Sequence, residues 1–334
     1  MSDIKRRKIV KYIAIAVCVA AVGFLAVEIF VIFSGKGAGN TPVEVGENTE
    51  EEYVTLAGKK YKHKSNLSTY LVVGVDAVGE VSKVEEYDGT GQCDVLIVIV
   101  VDRQKNTYAT LSINRNTIAD VQSLDLEDYS VLATVPIQIA FAHTEGDGME
   151  ISSENTVAAV ESLLKGETID KYASFHIDAI EKLNGLVGGV TVTIEDDFSK
   201  EDPSLVMGET ITLTDEQAHH FVRGRMNVGD GTNENRMARQ EVFLEALKPK
   251  LFEKIKSDQS FVKKAQKVLE PYTVTNLTGK DLSRLAKAVT KNQFIGNYTF
   301  EGETREDELG FLEFHPNPES VERVLAELFY EEVE

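Results

Sequence analysis

Cysteine is nearly absent from this 334-residue chain, which has only Cys18 and Cys93. That excludes a disulfide-stapled scaffold and a cysteine-rich metal module. Basic residues are also scarce: 35 Lys and Arg stand against 55 Asp and Glu, a formal net charge of −20. So acidic a surface repels phosphates, which argues against a nucleic-acid binder. Long apolar runs are missing except for one near the start, so the chain is not a multispan membrane protein. No internal repeat occurs, and no His-x-x-x-His, Gly-x-Ser-x-Gly or P-loop pattern. What remains is a globular composition, 42% hydrophobic and 27% charged, long enough for a substantial core.

The one apolar run covers residues 12–33, which as a helix extend roughly 33 Å and match a bilayer core. Residues 1–11 ahead of it hold five basic side chains and one acid. The run is longer than the core of a signal peptide and ends without a small-x-small cleavage site, so a retained anchor is expected in preference to a cleaved leader. The basic cluster predicts residues 1–11 in the cytoplasm, one transmembrane helix over 12–33, and everything beyond it outside the cell. Residues 34–58, small, polar and acidic, read as a linker. Residues 59–334 read as a single extracellular domain, in which Cys93 has no partner for a disulfide.

Within that domain strands and helices alternate. Residues 69–75 (TYLVVGV) and 94–101 (DVLIVIVV) are continuous apolar runs suited to strands buried on both faces. Residues 107–113 are expected to pair back as a hairpin, 172–177 and 190–194 to be strands, and 154–164 and 179–186 to be helices. Thr214 and Thr278 have capping-box spacing to Gln217 and Asp281. A long helix is expected from about 235 to 256, kinked or divided at Pro249, and a closing helix around Val321–Phe329. The pattern predicts an α/β fold, a three-layer α-β-α sandwich with a mixed central sheet.

Three places combine residue types that carry chemistry. Asp76 lies just past a buried strand, at the sheet edge where α/β folds bind ligands, although such acids also cap turns. Asp94 opens an apolar strand and Arg115 lies beyond the next one. Two neighbouring carboxylates, Asp76 and Asp94, suit Mg²⁺, and the competing reading is a structural Asp–Arg pair. Arg223, Arg225, Arg236 and Arg239 fall within 17 residues of an arginine-poor domain. Arg236, Arg239 and Gln240 sit at i, i+3 and i+4 in the first turns of a helix, where anions are favoured. Guanidinium forks match phosphate oxygens; the competing reading is surface salt bridges.

The segments LVVGVD, QCDVLIVIV, TLSINRNT, IQIAFAHTEG, ENTVAAVESLL, IDKYASFHIDAIEKLNGLVGGVTVTI and LTDEQAHHFVRGRMNVGDGTNENRMARQ together resemble the LytR-CpsA-Psr family of membrane-anchored cell-wall proteins. The resemblance implies transfer of a glycopolymer from undecaprenyl pyrophosphate to peptidoglycan, assisted by Mg²⁺, with the lipid in an apolar tunnel. By position, Asp76 and Asp94 match the metal-binding aspartates. Arg115, Arg223, Arg225 and Arg236 match the catalytic arginines. Arg239, Gln240, Asn233 and Asp230 are expected to contact substrate. The chain departs from the family pattern at Asn116 and Asn233, where an acid is usual, and at Pro136, where a lysine is usual. The loop between Arg225 and Arg236 is also one residue longer. These departures leave open a regulator or scaffold that binds polyprenyl phosphate or glycan without turnover; a third reading is a polyprenyl-pyrophosphate hydrolase, since water could replace the sugar hydroxyl in the same site.

Overall fold

The computed structural model describes residues 53–56, 59–84, 91–125, 127–231, 233–258, 261–308 and 310–333. The expected tail (1–11) and apolar span (12–33) lie outside them, as does most of the expected linker (34–58). The linker's far end is not featureless: Tyr53–Leu56 form a strand, β1, antiparallel to β2 (Lys59–His63).

The core is a mixed sheet built on β3 (Leu67–Val75), β4 (Cys93–Asp102), β5 (Thr107–Ile113), β8 (Lys171–His176), β11 (Thr273–Thr275) and β12 (Gln293–Thr299). Its order is β11-β8-β3-β4-β5-β12. The β3–β4–β5 meander is antiparallel, while β8 runs parallel to β3 and β12 parallel to β5. Alternate residues of the apolar runs serve opposite faces. Leu71, Val73, Leu96, Val98 and Leu111 pack with α1 (Glu150–Leu163) and α7 (Pro318–Phe329). Tyr70, Val72, Ile97 and Ile99 pack on the other side with α2 (Ala179–Val187), α3 (Asp215–Arg223), α4 (Asn233–Ser257), α5 (Phe261–Leu269) and α6 (Gly279–Lys291). Each buried aliphatic side chain contributes about 1.5–3 kcal/mol, which is why both faces need cover.

Thr214 and Thr278 each form the expected capping box. Two local expectations become more specific. Pro249 lies inside α4, a single element that it does not divide. Residues 190–194 contribute β9 (Thr191–Thr193), which among the described residues pairs with β10 (Thr210–Thr212) in a ribbon separate from the central sheet.

Strand direction places the site. β3 ends, β4 begins, and β5 and β8 end at one edge of the sheet. Asp76, Asp94 and Arg115 therefore share that edge, and the segment after His176 joins them.

Candidate functional site

Asp94 is aimed by a defect in the ladder. Gly74 pairs with Val95 and Val75 with Cys93, which leaves Asp94 as the extra residue of a β-bulge. Gly74 makes the close approach possible, since a Cβ there would lie 3.0 Å from the Val95 Cβ. A glycine inside so apolar a strand is the signal that marks such a bulge.

The Asp94 carboxylate joins two arginines from distant segments. One oxygen accepts a close hydrogen bond from Arg115, and the other lies 3.6 Å from an Arg236 guanidinium nitrogen. Gln92, whose importance the sequence did not reveal, accepts a second close hydrogen bond from Arg115. Burial raises the Asp94 carboxyl above its usual range; Arg115 and Arg236 oppose that shift, whereas Asp76 adds to it. The Nε–H groups of Arg115 and Arg236 are buried and have no acceptor. An unsatisfied buried donor costs roughly 1–3 kcal/mol, more if charged. The protein itself supplies neither donor with an acceptor.

Arg223 reaches the edge from the end of α3, where its guanidinium lies 3.5 Å from Asp178. Arg225 is exposed and makes no side-chain hydrogen bond or ion pair among the described residues. Arg239 and Gln240, on α4 like Arg236, bond instead to the protein's own groups. Arg239 is 5% exposed and donates to the Phe221 carbonyl at 3.0 Å, to the Gly224 carbonyl and to Asp196 at 2.6 Å. Gln240 donates to the Val222 carbonyl at 3.1 Å. Both side chains thus cap the carboxyl end of α3, the stretch that carries Arg223 and Arg225. The structure gives both a supporting position: burial, two carbonyls and Asp196 claim the Arg239 donors, and part-buried Gln240 commits one N–H to a carbonyl.

Asp230 lies exposed in the loop between α3 and α4, and Asn233 opens α4. Asn116 follows Arg115, and its backbone N–H donates to the Asn114 side chain. Pro136 is exposed on β7 (Val131–Gln138), which among the described residues pairs with β6 (Ile118–Leu124) alone. An exposed, singly paired strand tolerates proline.

The donor set suits Mg²⁺ only in part. Asp76 and Asp94 are close enough to couple electrostatically. Among the described residues, however, no group of three or more His, Cys, Asp or Glu side chains is placed to hold a metal. Mg²⁺ commonly takes one or two carboxylates and completes its shell with water and phosphate oxygens, so this pair fits it with a phosphorylated substrate.

Fold and site together define a mixed α/β domain with a cluster of arginines around a carboxylate at one edge of its sheet. Residues 31–329 match the LytR_cpsA_psr family, and the chain belongs to it. A relative, the polyisoprenyl-teichoic acid–peptidoglycan teichoic acid transferase TagU of Bacillus cereus (strain AH820), is 28% identical over 185 residues. The match takes in 55% of this chain and 53% of TagU, so the chain spans about half the length of that relative. Two crystal structures share the fold. Protein gbs0355 from Streptococcus agalactiae has a TM-score of 0.57 at 20% identity, over 80% of this chain and 91% of that one. B. subtilis TagV has a TM-score of 0.52 at 21% identity, over 79% and 97%.

Proposed function

We propose that the protein is a phosphotransferase that moves an anionic glycopolymer of the teichoic acid type from undecaprenyl pyrophosphate to peptidoglycan. In this reading residues 1–11 are cytoplasmic, residues 12–33 form a single membrane anchor, and the rest is a three-layer α-β-α domain outside the cell. The observation that carries it is the pair of buried, acceptorless Nε–H groups on either side of Asp94. Together with Arg223, these arginines form a part-buried, fork-shaped receptor for phosphate oxygens.

A peptidoglycan hydroxyl attacks the phosphorus that bears the glycan. The new P–O bond forms as the bond to undecaprenyl phosphate breaks, and the hydroxyl proton leaves to a base or solvent. Arg115 and Arg236 hold the pyrophosphate against the edge, with Asp94 fixing their angle. Arg223 and Arg225 meet the charge that builds on the phosphoryl oxygens. Mg²⁺, held by Asp76 and Asp94, would offset pyrophosphate charge. Arg239 and Gln240 keep the end of α3 in place.

The test incubates the purified full chain with a lipid-pyrophosphate-linked glycan, Mg²⁺ and peptidoglycan oligomers. Linked product is expected. Free phosphate or sugar phosphate would make the protein a hydrolase, and bound but unchanged lipid a binding module. Arg223→Ala and Arg225→Ala should each abolish attachment while leaving the melting temperature near that of the parent. Undiminished attachment in both variants would sink the assignment.

A further inference from the structure

Asp178 stands at the start of α2, where an aspartate ordinarily turns its side chain onto the first free N–H groups of its own helix. Here it does not. Its backbone is helical (φ −67°, ψ −14°) and its side chain makes no capping bond. One carboxylate oxygen instead accepts from the Gly79 N–H at 2.8 Å. The other is buried without a hydrogen bond and faces Arg223 at 3.5 Å. The helix forgoes a cap that is typically worth about 1 kcal/mol.

The two neighbours of Asp178 act on the same segment. The Ile177 N–H donates to the Ala77 carbonyl at 3.3 Å, and the His176 Nδ1 lies 3.0 Å from the Gly79 carbonyl. Residues 176–178 thus hold the chain just beyond Asp76, and Gly79 takes a positive φ of 83° that favours glycine. Asp178 is the member of this trio that also reaches an arginine. Its grip on Arg223 is one long contact, unlike the three bonds that spend Arg239 on the protein. A single contact sets the direction of the fork and leaves its other N–H groups for a ligand.

We propose that Asp178 is a positioning residue for Arg223, holding its guanidinium in register with the segment that follows Asp76. This rests on the transferase reading above and goes beyond it by placing a carboxylate behind the arginine. The variant Asp178→Asn keeps the shape and removes the charge. In the full chain it should lower kcat for glycan transfer about tenfold or more, in line with the cost of a misplaced reacting geometry. It should also weaken binding of inorganic pyrophosphate, read by calorimetry.

The same change made in an Arg223→Lys background should cost little more, because the fork it orients is already gone. A merely structural role would give equal losses in both backgrounds, tracking the melting temperature, and that result would overturn the proposal. So would Asp178→Asn matching an active parent. A parent that neither transfers glycan nor binds pyrophosphate would instead remove the transferase reading, and this proposal with it.

Discussion

Strand β4 begins near a part-buried acid, Asp94, and ends on a buried one, Asp102, and the two are satisfied in opposite ways. At its far end Asp102, 8% exposed, accepts from the N–H groups of Gln104 and Lys105 at 3.0 and 2.8 Å, two and three residues along the same turn. At its near end Asp94 stands on a bulge and takes partners 21 and 142 positions away, Arg115 and Arg236. The cations of the far end are committed to the fold: Lys64 caps the end of α7 through the carbonyls of Glu327 and Leu328, and Lys105 faces Glu331 at 3.9 Å. At the near end two guanidinium groups keep buried donors unused. A buried charge answered by its own turn closes a structure. A part-buried charge answered by long-range cations with donors to spare leaves a receptor for something else.

The contrast breaks most visibly at Asp94. Asp94→Asn keeps the size of the side chain but cannot hold two guanidinium groups at once. Transfer should fall by about 10²-fold or more, the scale seen when one preorganised electrostatic contact is lost. A rate within twofold of the parent would mean that the near-end acid is as structural as the far one.

Next in size is Arg239, which shows that arginine content alone does not define the site. Arg239→Ala removes the cation paired with Asp196 and uncaps two carbonyls at the end of α3. Breaking a buried pair by removing one partner costs about 3–5 kcal/mol. Urea unfolding should register a loss of that order. A loss below 1 kcal/mol would return Arg239 to the list of ligand-binding residues.

The near end also has a pH-sensitive support. His143, 2% exposed, faces the Gly91 carbonyl with Nδ1 at 3.1 Å. Burial chiefly depresses its pKa from 6.5 to about 4, with nearby His176 adding to the effect. The folded state thus prefers the neutral ring. Its contribution is fully present above pH 6.5 and is lost as pH falls from there through about 4, roughly 3 kcal/mol in all. Thermal melts should show that slope, and His143→Asn, which still offers an N–H to Gly91, should flatten it. An unchanged slope would assign the acid sensitivity elsewhere.

Much of this architecture is written in the sequence, and the parts that are not share a cause. The strands through Val72, Ile97 and Leu111 are legible because burial on both faces demands unbroken apolar runs. The capping boxes at Thr214 and Thr278 are legible because their chemistry is local. β1, β12 and the β6–β7 ribbon lie at edges or on the surface, where exposed positions blur the two-residue period. In the site, Asp94, Arg115, Arg223 and Arg236 announce themselves by residue type. Arg239 does not separate from Arg236 by spacing, since three residues of helix turn both toward one side; only the depth of packing divides them. Gln92 and Asp178 are ordinary polar residues at element ends, and their partners lie 23 and 45 positions away, beyond the reach of local pattern.

The smallest effect is expected at the far acid. Asp102→Ala leaves two turn N–H groups without their acceptor, but that turn lies at a surface hairpin where water can replace it in part. The cost should be about 1 kcal/mol, the net worth of an ordinary intramolecular hydrogen bond. Glycan transfer should stay at the parental rate, because Asp102 and its partners lie at the opposite edge of the sheet from Arg115. A rate loss approaching that of Asp94→Asn would show that the two ends of β4 communicate through the strand. The division of the sheet into a closed edge and a receptive one would then have to be abandoned.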